Sequence, residues 1–399
     1  MVERMLHPAA ATVPDKPPDW PLLSAALRPF YLLSAIAAAV AVPVWLVVLL
    51  GPVPWPAPIP PVYWHAHEMV FGFAAATVSG FLLGAKRAWT GLGTSRAAAL
   101  GALALLWLAG RLALFAVPYP LYAVIDLALL PIVGYLLTRQ MRHTGLMRNL
   151  PLAVILLLLA LTNLLFHLSA LRWLHMPLQQ PLHAALALLV IMQCVMAGRV
   201  IAGFTISATR GMRRVDPWPA LEKICLTATA AGLASWVAAP PTWSWLTALL
   251  LAIASFSHGL RQWRWRSRVI WQRPMLWILH AAYLWITLGL ALLAFGHLGW
   301  PSQSAAIHAL GVGATGGLII GMMTRTARGH AGRRLKTSTL DVTAYGLVMV
   351  AALVRVAQPL APTAATVPML VVAGAAWSSA FTIFLWQYTP LLVRGRPNE

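Results

Sequence analysis

The chain is divided by short polar connections into apolar stretches of about 20 residues, and that spacing constrains its fold more than any motif does. A hydrocarbon core of about 30 Å is crossed by about 20 helical residues rising 1.5 Å each. No water is present there to satisfy backbone N–H and C=O groups, so each such stretch must close its own hydrogen bonds as a helix. Twelve spans are predicted, at roughly 30–51, 63–85, 96–116, 119–141, 148–171, 177–203, 218–238, 242–263, 274–297, 303–325, 339–358 and 365–390. The expected fold is therefore all-α, a single polytopic transmembrane helix bundle over 30–390. A cytoplasmic N-terminal arm (1–29) and a cytoplasmic tail (391–399) flank it. Pro43, Pro131 and Pro181 fall inside predicted spans and are expected to kink them, which bundles tolerate. The segment Met1 to Arg28 is too long and Pro-rich for the leading part of a removable signal peptide.

Charge then sets direction. Only 10% of residues are charged and 60% are hydrophobic, which excludes an ordinary soluble domain. The net charge of +20 would suit a nucleic-acid binder, but the basic residues sit in small clusters between apolar runs, so that reading is rejected. Alternate connections hold Lys86, Arg87 and Arg96; Arg139, Arg142 and Arg148; Arg210, Arg213 and Arg214; Arg261 to Arg273; and Arg325 to Lys336. The arm holds Arg4, Lys16 and Arg28, the tail Arg394 and Arg396, and the remaining connections are nearly free of Lys and Arg apart from Arg172. The positive-inside rule places both termini in the cytoplasm and makes the lipid bilayer the first partner. The run Arg261–Arg273, interleaved with Trp263, Trp265 and Trp271, reads as an anchor at the inner leaflet. Cys194 and Cys225 lie in apolar stretches and are read as small buried hydrophobes.

Ionisable side chains inside a span are expensive, so each is a functional candidate. His65 and His67 open the second predicted span, His167 closes the fifth, His183 enters the sixth and His308 enters the tenth. Each lies within about two turns, about 11 Å, of the outer boundary. Five histidines from four helices thus share one layer. Imidazole commonly holds copper or haem iron in a helix bundle, which makes these five candidate metal ligands. The alternative is a set of separate polar contacts between helices. Positions i and i+2 on a helix point about 200° apart, so a helical His65-Ala66-His67 would aim its two rings at opposite faces. An unwound first turn would let both clamp one ion, with Glu68 beside them as an acceptor for a ring N–H.

Two arginines off the basic side, Arg111 and Arg355, are candidates for pairing with the propionates of a haem; pairing with Asp126 or snorkelling to the interface is the alternative. A second polar group, toward the cytoplasm, contains Arg28, Arg199, Thr205, His280, Tyr283, Thr324, Arg325 and His330. His280 lies about two turns deep and is a candidate for a second cofactor site or a proton path.

With these residues in view, the chain resembles the NnrS family of bacterial membrane proteins. The likeness rests on Arg28-Pro29-Phe30, Trp64-His65-Ala66-His67-Glu68-Met69, Gly110-Arg111-Leu112-Ala113 and Asn163-Leu164-Leu165-Phe166-His167. It continues through Gly198-Arg199-Val200-Ile201, His280 with Tyr283, His308-Ala309-Leu310, Met323-Thr324-Arg325 and Gly329-His330. Ala202, Arg328 and Ala331 depart from the family's usual Pro, apolar residue and Thr. The resemblance implies haem, expected to be b-type, together with copper, a bacterial inner membrane and a role in nitric oxide tolerance or denitrification. Nitric oxide or a related small molecule would be the ligand, and quinol or a soluble carrier a possible electron donor. The resemblance supplies no reaction. A redox enzyme of the haem-copper, nitric oxide reductase type and a secondary transporter are the competing readings; the first would need adjacent histidines in span seven, which are not there.

Overall fold

The computed structural model describes residues 20–51, 53–90, 97–145, 147–208, 218–265, 270–300 and 303–394, with the backbone alone for 85–90 and 148. The basic residues Arg4, Lys16, Arg96, Arg210, Arg213, Arg214, Arg266, Arg268 and Arg396, part of the expected charge asymmetry, lie outside the described residues. So do the side chains of Lys86, Arg87 and Arg148 and most of the N-terminal arm.

Helices carry the chain, and no strand occurs among the described residues. They are α1 (Leu27–Leu50), α2 (Pro61–His67), α3 (Ala75–Thr90), α4 (Ala97–Ala116), α5 (Tyr119–Thr144), α6 (Leu150–Ala170) and α7 (Gln179–Ala208). There follow α8 (Pro219–Ala238), α9 (Ser244–Arg264), α10 (Pro274–His297), α11 (Gln303–His308), α12 (Gly317–His330), α13 (Thr339–Ala357) and α14 (Thr366–Val393). Eleven described segments are long and apolar enough to cross a membrane. The remaining expected span is also a helix, α8, but Glu222 and Lys223 in its first turns make it less apolar than the others. Pro43 and Pro131 do lie inside α1 and α5, and Pro390 lies inside α14. Pro181 differs from expectation. It occupies the first turn of α7, where a missing N–H leaves no intrahelical bond unmade.

Among the described residues, two spans are not uniformly α-helical. A π-helical segment, Glu68–Ala74, joins α2 to α3, and another, Ala309–Gly316, joins α11 to α12. Each begins directly after a histidine, His67 and His308, and wide turns of this kind recur at functional sites. Glycine lets the second one pack closely on α10, since a side chain on Gly313 would run into the Trp285 ring.

The chain forms two compact units. One comprises Met1–Ala185, Thr326–Arg334 and Phe384–Glu399; the other comprises Leu186–Arg325 and Leu335–Ile383. In the first, α4, α5 and α6 pack in succession and α1 packs on α3, burying Phe30, Tyr31, Leu100, Tyr122 and Phe166 completely. In the second, α8, α9 and α10 pack in succession, and the Ala309–Gly316 segment packs on α10 and α13. The outward positions are equally apolar: Leu105, Leu112 and Val124 are all more than half exposed, as lipid-facing side chains must be.

Candidate metal centre

In the first unit, the last residue of α2 meets the first third of α5 and the end of α6. His67, Asp126 and His167 are all buried, and each offers a ligand atom within 4.8 Å of the others. Asp126 Oδ2 lies 3.1 Å from His167 Nε2 and 3.4 Å from His67 Nε2. Asn163, one turn before His167 on the same face of α6, donates from Nδ2 to Asp126 Oδ2 (2.7 Å) and presents Oδ1 to His67 Nε2 (2.9 Å). Two imidazole nitrogens and a carboxylate oxygen therefore face one another.

The far nitrogens of both rings are held as well. Glu68 Oε1 faces His67 Nδ1 at 3.4 Å, and the Tyr119 hydroxyl lies 3.0 Å from His167 Nδ1. Such partners fix the orientation of a metal-binding ring and raise its basicity. Phe71 and Phe166 pack against His67, each with ring centroids 4.8 Å away, and Tyr122 stands edge-on to His167 at 5.3 Å.

Charge explains why the cluster holds together and what it lacks. Arg111 on α4 donates to Glu68 Oε1 (2.7 Å) and pairs closely with Asp126 Oδ1. One guanidinium thus serves two buried carboxylates, which leaves a surplus negative charge unless a further cation or proton joins them. A buried charge of that kind is costly without a partner. A divalent metal between His67, Asp126 and His167 would supply it, and the donor set of two imidazoles and a carboxylate suits copper, iron or zinc. Gly72 is part of the same construction: a Cβ there would stand 2.7 Å from Glu68 Oε2 and 3.3 Å from Arg111 Nη1. The adjoining cavity, lined by Phe71, Trp107, Gly110, Arg111, Asp126 and Asn163 among others, is about 10 Å³. That admits a water molecule and not a porphyrin.

The other sequence candidates sit elsewhere. The segment around His65 and His67 is helical, and the two rings have different surroundings: His65 stacks on Trp45, with centroids 4.4 Å apart and planes 19° apart. His183 is half-buried on α7. His308 belongs to the second unit, where its Nδ1 donates to the Ser304 carbonyl oxygen (2.7 Å). In a neutral ring this leaves the lone pair on Nε2, the tautomer of a ligating histidine. Arg355 reaches the same serine through its hydroxyl (3.2 Å) and also donates to Gln358 Oε1 (2.9 Å), both neutral partners. His280, also in the second unit, has the Thr205 hydroxyl 3.0 Å from its Nε2. Arg111 takes the alternative foreseen for it, pairing with Asp126. Asn163 and Tyr119 were not singled out as site residues; the Asn163–His167 spacing of four, one helical turn, was the available signal for the first.

Set beside known proteins, the family model described as NnrS protein matches residues 21–396. No curated protein matches the chain.

Proposed function

This chain belongs to the NnrS family, and from that premise we propose that it is a haem- and copper-binding protein of the bacterial inner membrane acting in nitric oxide tolerance or denitrification. The observation that carries the reading is the buried His67–Asp126–His167 cluster, in which Asp126 shares one guanidinium with Glu68.

His67, His167 and Asp126 would hold the copper ion. A bound copper ion supplies a one-electron couple and affinity for small diatomic ligands. The protein's own residues do the rest. Glu68 and Tyr119 orient the two rings, Arg111 fixes the carboxylate, and the packed rings of Phe71, Phe166 and Tyr122 keep bulk water away. Haem requires a different place, since the cavity beside this cluster is far too small. We assign it to His308 and Arg355 on their chemistry. The first has its Nδ1 proton tied to a carbonyl, and the second brings a cation that its neutral partners do not compensate and that a propionate would. The basic connections support cytoplasmic termini.

The test is the protein purified from cells replete in haem and copper. We expect a Soret band that shifts on addition of nitric oxide, with copper bound in proportion to protein. A colourless preparation free of copper would overturn the proposal.

A further inference from the structure

The second unit contains a buried hydrogen-bonded chain that the metal and haem sites do not use. Arg261 Nη1 donates to the Tyr283 hydroxyl (3.0 Å), which lies 2.5 Å from His258 Nδ1. On the other side of the ring, His258 Nε2 lies 2.8 Å from the Thr229 hydroxyl, and Thr229 donates to the Cys225 carbonyl oxygen (2.6 Å). Tyr283 and His258 are fully buried, and Thr229 and Arg261 nearly so.

The carbonyl end sets the direction of the protons along the chain, and Cys194 Sγ, 3.5 Å from His258 Nε2, is a weaker second neighbour of that nitrogen. A guanidinium only donates and a carbonyl only accepts. Thr229 spends its proton on Cys225, so it must accept from His258 Nε2–H. A neutral ring with its proton on Nε2 has its lone pair on Nδ1, and the Tyr283 O–H therefore points to Nδ1. The phenol is thus hydrogen-bonded to a base at short range, in a place no substrate can reach. An enclosed acid–base pair of this kind is unsuited to proton exchange with a ligand. It is suited to electron transfer, because the electron can tunnel while the proton moves only from one partner to the other.

We propose that Tyr283 is a one-electron redox site with His258 as its proton acceptor. On oxidation the Tyr283 O–H bond breaks, an N–H bond forms at His258 Nδ1, and one electron leaves, giving a neutral tyrosyl radical and an imidazolium. The oxidant is of the nitrogen dioxide class and is reduced to nitrite; that choice alone rests on the nitric oxide reading above. The surroundings favour the products. Glu222 pairs with Arg261 through both carboxylate oxygens, offsetting the positive charge that would oppose an imidazolium nearby. Trp265 packs on Tyr283 with centroids 4.6 Å apart and is partly exposed, so it offers the electron a way out.

The experiment photo-oxidises the full chain, as purified, with a ruthenium(III) polypyridyl and follows tyrosyl radical by EPR; it requires neither nitric oxide nor loaded metal. The chain has 8 tyrosines, so variants assign the signal. We expect Tyr283→Phe to remove the main long-lived radical, and His258→Gln, which cannot take the proton, to slow its formation at least about a hundredfold. Helical circular dichroism establishes that each variant is folded. Thr229→Val keeps both partners and loses the nearer acceptor for Nε2–H, leaving Cys194 Sγ at 3.5 Å, so faster radical decay is expected. An unchanged signal in Tyr283→Phe, or wild-type kinetics in His258→Gln, would overturn the proposal; a wild-type decay in Thr229→Val would overturn the directed chain. A radical formed with ruthenium(III) and not with nitrogen dioxide would exclude that oxidant.

Discussion

His167 Nε2 stands 3.1 Å from Asp126 Oδ2, while the other oxygen of the same carboxylate is tied to Arg111. One side chain thus joins an ion pair to an imidazole cluster. Asp126→Asn keeps the shape and removes the charge. We expect copper content, measured by elemental analysis of the purified protein, to fall at least about tenfold, as it does when a metal site loses an anionic or supporting group. Copper retained at wild-type stoichiometry would place the ion elsewhere.

Arg111→Met leaves Glu68 and Asp126 without their shared cation in a buried setting. Breaking one partner out of a buried ion pair is expected to destabilise by about 3–5 kcal/mol. Denaturant unfolding in detergent measures this. Adding Glu68→Gln to Arg111→Met should recover part of the loss, because one of the stranded charges is gone.

Gly72→Ala changes no ligand and should still weaken the site. The new methyl would meet Glu68 Oε2 at 2.7 Å, forcing the carboxylate away from His67 and Arg111. Overpacking of this kind costs about 1–3 kcal/mol. Gly346→Ala in α13 is the control: nothing stands within 4 Å of its Cβ, so the helix should gain about 0.5–1 kcal/mol. A drop in copper affinity in the first variant and none in the second is the expected pattern.

The haem and copper losses should separate. His308→Ala and Arg355→Met are expected to lower haem content, read by the pyridine haemochrome assay, with copper unaffected. Asp126→Asn should do the reverse. Arg355→Lys is expected to keep part of the haem, since a point charge replaces only some of a bidentate pairing. Parallel loss of both cofactors in every variant would join them into one site.

Much of this architecture was legible beforehand. The helix ends fall close to the expected boundaries, and α10 coincides with its span, Pro274–His297. Of the two alternatives left open for His65 and His67, the helical one is observed, and the two rings have separate environments. His258 escaped notice because it lies three residues before the basic run that begins at Arg261 within α9, whose residues read as an interfacial anchor, and a single histidine there carries no spacing signal. Cys194, read as a small buried hydrophobe, is buried, but its Sγ also lies 3.5 Å from His258 Nε2. Asp126 was visible only as a possible partner for Arg111. That His67 and His167 also gather around it depends on the rotation of three helices about their axes.

The division has a physical cause. The length and apolarity of each stretch determined a helix on their own, because a bilayer forces every backbone hydrogen bond inside the segment. Membership of the family was carried by short polar motifs in a fixed order. Which polar groups meet was decided only by the tertiary structure. In a helix apolar all round, lipid-facing leucines and buried ones look alike in sequence, so periodicity carries little information about which face turns inward. The wide turns after His67 and His308 shift that facing again, and no pattern in the chain announces them.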